Sequence, residues 1–141
     1  MDQTLVFGLA AVLVIGALLF AFVSKMTNKK CKKHFNVEQY QARCLANEQR
    51  LKSDNPASFH LSVLEGDKLV DQALRECGVR GETMAERMKS ASSRFSDLNG
   101  LWSAHKLRNR IAHETDARVS YDEARYALSS FRKALKDLGA I

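Results

Sequence analysis

The run Leu107-Arg108-Asn109-Arg110-Ile111-Ala112-His113 sets an arginine, an amide and a histidine close together in a segment with helical patterning. Those groups suit metal-free RNA cleavage. A histidine can move the proton of the ribose 2′-OH or of the leaving oxygen. An arginine can clamp the phosphate and offset its growing negative charge, and an amide can orient the histidine or a phosphate oxygen. On this reading Arg108, Asn109 and His113 are the catalytic candidates, with His105, Asp67, Asp71 and Trp102 in support.

Helix geometry constrains how they could act together. Arg108 and His113 are five positions apart, about 140° around a regular α-helix, so His113 is expected at or beyond the helix end if both are to reach one target. Asn109 lies four residues after His105 and four before His113, so those three could form one hydrogen-bonded row. Leu98, Leu101, Trp102, Ala104, Ile111 and Ala112 define an apolar stripe, within which His105, Arg108 and Asn109 fall while Lys106 and Arg110 point away. A charge within a buried stripe carries a desolvation cost and needs a partner, an interface or a polar cleft. The same residues therefore also admit a structural account. Arg108 could pair with Glu65, Asp67 or Asp71 of an earlier helix, with Asn109 bonding a carbonyl, His113 ending the helix, His105 half-buried and Trp102 anchoring a core or dimer contact.

The elements that must position these residues read as all-α. Asn55-Pro56 restarts the chain as N-cap and first helical residue, and Phe59, Val63, Val70 and Leu74 carry that helix to a stop at Gly78. Thr83 with Glu86 predicts a capping box on a short helix containing Met84 and Met88, and a further helix starts near Asp97 and reaches His113. Ser120 with Glu123 predicts a second capping box, opening a helix through Ala124, Leu128, Phe131, Leu135 and Leu138 that Gly139 ends. No alternating β pattern is present. The expectation is a bundle of four to five helices with short connections over 54–141. Upstream, Val37, Tyr40, Cys44, Asn47 and Leu51 step by three and four, which predicts a helix over part of 25–53, either a stalk or a spacer packed on the domain.

Leu5 to Val23 is a run of 19 uncharged, mostly apolar residues, which predicts a transmembrane anchor over 1–24. Lys25, Lys29, Lys30, Lys32 and Lys33 follow it and no lysine or arginine precedes it. The positive-inside rule then predicts a single-pass inner-membrane protein with its N-terminus outside and its C-terminal domain cytoplasmic. The net charge of +6 owes most to these lysines, since from His34 onward 17 basic residues face 15 acidic ones. That balance argues against a basic nucleic-acid stripe and for a lysine cluster lying on anionic headgroups. Cys31, Cys44 and Cys77 are odd in number and lack CxxC spacing, so in a reducing compartment neither a disulfide framework nor a zinc site is expected, and Cys77 reads as packing. No cofactor set is indicated.

The segment Trp102 to Glu114, followed by a capped amphipathic helix, resembles the HEPN superfamily (higher eukaryotes and prokaryotes nucleotide-binding) over roughly Asn55 to Leu138. It is similar also in layout to short membrane-anchored HEPN-like bacterial proteins. Arg108, Asn109 and His113 match the family's motif of Arg, a polar residue and a His after four to six positions. The resemblance implies an all-α dimer whose two motifs meet in one cleft, acting in many members as a metal-independent endoribonuclease and in others as an RNA-binding or assembly module. Two functions are therefore expected. One is a dimeric endoribonuclease tethered to the lipid bilayer and acting on RNA; the other is a non-catalytic scaffold that dimerises and recruits RNA or a cytoplasmic protein partner.

Overall fold

The computed structural model describes residues 3–27, 31, 34–52 and 55–141. Among the described residues the chain is all-helical, with no strand. The helices are α1 (Gln3–Thr27), α2 (Val37–Arg50), α3 (Pro56–Glu76), α4 (Met84–Ser90), α5 (Leu98–His113) and α6 (Tyr121–Leu138), with a 3-10 turn at Ser92–Arg94.

Local chemistry accounts for most of the boundaries. Asn55 caps α3 by accepting from the Ala57 N–H at 3.0 Å, with Pro56 next in the chain. Asp97 caps α5 by accepting from the Gly100 N–H at 2.9 Å. At α6 the capping box is reciprocal: Ser120 Oγ accepts from the Glu123 N–H and the Glu123 carboxylate accepts from the Ser120 N–H. Those bonds and Arg110 hold the Glu123 carboxyl below the usual carboxylate range. The box at α4 is only half formed, because Thr83 caps Glu86 but the Glu86 side chain accepts from the Glu82 N–H, one residue beyond the N-cap. Gly139 ends α6 with φ of +80°, a conformation that costs glycine little.

The core lies around α3, which packs on α2, α4, α5 and α6. Val63, Leu69, Val70 and Leu74 of α3 meet Met88 of α4, Leu101 of α5 and Phe131 and Leu135 of α6, all almost wholly removed from water. Along α6, Ala124, Ala127, Leu128, Phe131, Ala134, Leu135 and Leu138 recur at helical spacing and form its buried stripe. Gly66 lets α3 approach α6, since a Cβ there would stand 2.6 Å from Phe131 Cδ2. Gly66→Ala is expected to cost about 1 kcal/mol in thermal unfolding. Overpacking of roughly 1–3 kcal/mol is offset in part by about 1 kcal/mol of helix propensity.

α2 packs on the bundle. Tyr40 and Asn47 are buried, the Asn47 carbonyl accepts from Ser62 Oγ of α3 at 3.2 Å, and Glu48 pairs with Arg132 of α6. Burial pushes the Tyr40 hydroxyl up to about 12, with the Glu76 charge adding to the effect.

Two expectations are corrected. The transmembrane anchor over 1–24 is not supported, because among the described residues no helix is long and apolar enough to cross a membrane. α1 is apolar and its large side chains, Phe7 and Phe20 among them, are exposed. The single-pass inner-membrane placement, N-terminus outside and domain cytoplasmic, falls with it. Asp2, Lys29, Lys30, Lys32 and Lys33 lie outside the described residues, as does the side chain of Lys25.

The second correction concerns the cysteines. Cys31 and Cys77 form a disulfide, with Cα atoms 5.2 Å apart across a sequence separation of 46. Cys77 is the C-cap of α3, and the segment ahead of α2 returns to that helix end, a meeting that residue spacing does not disclose. Cys44 remains a half-buried thiol whose pKa burial raises.

Candidate functional site

α3 presents Glu65, Asp67, Lys68 and Asp71 toward a groove of about 700 Å³ whose other walls come from α4 with its preceding turn and from α5. α5 is amphipathic, and its packing on both α3 and α6 turns His105, Arg108 and Asn109 toward this groove. The central group is the Asp67 carboxylate, with its side chain 5% exposed. One oxygen accepts from His105 Nδ1 at 2.8 Å, and the other faces Arg108 Nε at 3.2 Å. Arg108 also donates through Nη1 to Asn109 Oδ1 at 3.0 Å. A carboxylate this buried needs both a countercharge and hydrogen bonds, and α5 supplies them.

The other acids of the groove are taken by other cations. Asp71 accepts from Arg87 Nε at 2.7 Å and pairs with Arg75 at 2.7 Å, four positions further along α3. Arg87 is itself buried and donates to the Gly81 carbonyl at 2.6 Å, so it ties the turn before α4 to α3. Glu65 faces Arg43 of α2 at 3.6 Å. Of the three acids considered for Arg108, Asp67 is the one it meets.

His113 is placed differently. It is the last residue of α5 and is exposed, and it lies outside the lining of the groove. The Glu114 N–H closes the helix on the Arg110 carbonyl at 2.9 Å. Within one protomer, then, Arg108, Asn109, His105 and Asp67 stand together and His113 does not join them. The hydrogen-bonded row through Asn109 is absent among the described residues, since Asn109 Oδ1 accepts from Arg108 and His105 binds Asp67. Trp102 is half-buried and stands edge-on to the His105 ring at 6.1 Å. Arg110 is directed to the Glu123 carboxylate at 2.8 Å.

Sequence reasoning did not single out Arg87. The signal available was a basic residue next to Met88, on a helix too short to bury much without help. Among the described residues no group of three His, Cys, Asp or Glu side chains is placed to hold a metal ion.

The fold and groove define an all-α bundle with a charged cleft between its third, fourth and fifth helices. No family model, curated protein or solved structure matches the chain.

Proposed function

We propose that this chain is a HEPN-like assembly module that pairs with a second copy and does not cleave RNA, its Arg108-Asn109 pair serving as a joint between α3 and α5. The observation that carries this reading is the engagement of the Arg108 guanidinium by the buried Asp67 carboxylate and by Asn109. A phosphate clamp needs that guanidinium turned to the ligand and a proton-transfer group within hydrogen-bond reach of the reacting oxygen. Here the guanidinium is spent on the fold, and His113 faces solvent at the helix end. The exposed end of α5, with Ala112 and His113 beside half-buried Ile111, is the surface assigned to the second copy.

One observation favours the nuclease as a second reading. The Arg108 side chain keeps 38% of its surface exposed, so a second copy could bring its own His113 against it. The deciding experiment is RNA cleavage by the full chain with EDTA present, comparing wild type with Arg108→Ala and His113→Ala, each confirmed as folded and sized by light scattering. The assembly reading expects a dimer and no cleavage by any of the three. Cleavage that survives EDTA and disappears in both variants would replace it with a metal-independent endoribonuclease, and a monomer at micromolar concentration would contradict it outright.

A further inference from the structure

We infer that Cys31 and Cys77 are a thiol–disulfide exchange pair, in which Cys31 is the nucleophile toward a small anionic disulfide and Cys77 resolves the mixed disulfide to close the crosslink. This inference stands apart from the assembly reading and uses none of its residues.

The two roles follow from what surrounds each sulfur. A cysteine attacks as its thiolate, which positive neighbours favour. Cys31 stands in the sequence Lys29-Lys30-Cys31-Lys32-Lys33, with no acidic residue between Asp2 and Glu38. It is half-buried, so a small reagent reaches it. Cys77 is the C-cap of α3, where the last helical carbonyls present partial negative charge and disfavour a thiolate. Glu76 precedes it, Arg75 is committed to Asp71 at 2.7 Å, and Arg80 lies three residues beyond, so Cys77 has no comparable excess of positive charge. Cys44, the third cysteine, is held as a thiol by burial. An accessible cysteine in a basic setting, poised next to a second one, is the arrangement of a redox-responsive pair.

The fold keeps the resolving sulfur within reach. The Cα atoms of the pair are 5.2 Å apart in the crosslinked state. Contacts that do not pass through the crosslink hold the start of α2 near the end of α3. Phe35 stands edge-on to the buried Tyr40 ring at 5.5 Å, and Arg43 donates to Gln72 of α3 at 2.8 Å. Cys31 is four residues before Phe35, so chain length confines it to about 14 Å from that anchor when the bond is open. The second step is therefore intramolecular, at high effective concentration.

In the first step the Cys31 thiolate attacks one sulfur of the reagent; a bond to Cys31 forms, the reagent's S–S bond breaks and one thiolate departs. In the second, Cys77 gives its proton to solvent and attacks Cys31 Sγ, and the other reagent thiolate departs as the crosslink forms. The two cysteines are oxidised by two electrons and the reagent is reduced to two thiols. The lysines draw an anionic reagent toward Cys31 and repel a cationic one.

The test uses the full chain, reduced, freed of reductant and treated with excess oxidised glutathione, with acid-quenched samples mapped by mass spectrometry. Cys77→Ser and Cys31→Ser both lack the crosslink and both retain Cys44, so lost stability does not separate them. Cys77→Ser should take glutathione on Cys31 about tenfold faster than Cys31→Ser takes it on Cys77, with most of that advantage lost in about 1 M salt. Adding Lys30→Gln and Lys32→Gln to Cys77→Ser should slow the reaction about threefold or more while leaving the unfolding midpoint unchanged, and should not slow reaction with the cationic disulfide cystamine. Wild type should pass through a transient on Cys31 and finish as the crosslinked chain. Equal rates at Cys31 and Cys77 would overturn the inference. So would a Cys31 rate indifferent to salt and to the lysine substitutions, or a wild-type chain that stops at the mixed disulfide.

Discussion

Asp67→Ala is expected to lower the unfolding free energy by about 3 kcal/mol, seen in urea as a fall in midpoint with the slope unchanged. The carboxylate is buried and serves two groups of α5, so its removal leaves the His105 Nδ1 side without an acceptor in a ring that is almost wholly covered. Breaking a buried pair by deleting one partner costs roughly 3–5 kcal/mol. The lower end applies here because Arg108 is 38% exposed and can recover water. Asp67→Asn keeps the shape and one oxygen acceptor and should lose less, about 1–2 kcal/mol. A loss below about 1 kcal/mol for Asp67→Ala would show that α3 and α5 are held without this carboxylate.

The other large effect is expected at the disulfide. Cys77→Ser should cost about 4 kcal/mol under oxidising conditions, the chain-entropy value for a loop closed across 46 positions. The crosslink pins the segment ahead of α2 to the end of α3, so its loss should also loosen α2, which hydrogen exchange at Tyr40 to Asn47 would register. Wild type in reductant should match the oxidised variant, and reductant should leave the variant unchanged. Equal stability of wild type with and without reductant, or three free thiols by mass spectrometry instead of the one at Cys44, would contradict the assignment.

These two expectations also mark where sequence was informative. Helix starts and stops were legible because capping is local chemistry. Asn55-Pro56, Asp97, Ser120 with Glu123, and Gly139 each act within a few residues of their own position. The half-formed box at Thr83 shows the limit of that reading, since the same spacing permits Glu86 to reach either of two backbone N–H groups. The candidate site was legible in part. That Arg108 needed an acid from the long third helix follows from the cost of a charge within an apolar stripe. Which acid it meets does not, because Glu65, Asp67 and Asp71 all belong to α3 and line the same groove, and the choice depends on Arg43 and Arg87 occupying the other two. The bond between His105 and Asp67 spans 38 positions and rests on the packing of α5 against α3, which periodicity leaves open. The same holds for Cys31 and Cys77. The apolar run of α1 was plain in the sequence, but composition alone did not establish a membrane span among the described residues.

The central claim is that Arg108 holds the fold through Asp67, and a double-mutant cycle measures that coupling directly. Urea unfolding of wild type, Asp67→Ala, Arg108→Ala and the double variant should give a coupling energy of about 1–3 kcal/mol, with Arg108→Ala destabilising by itself. Additive losses within about 0.5 kcal/mol, with Arg108→Ala as stable as wild type, would contradict the joint and return the arginine to the nuclease reading.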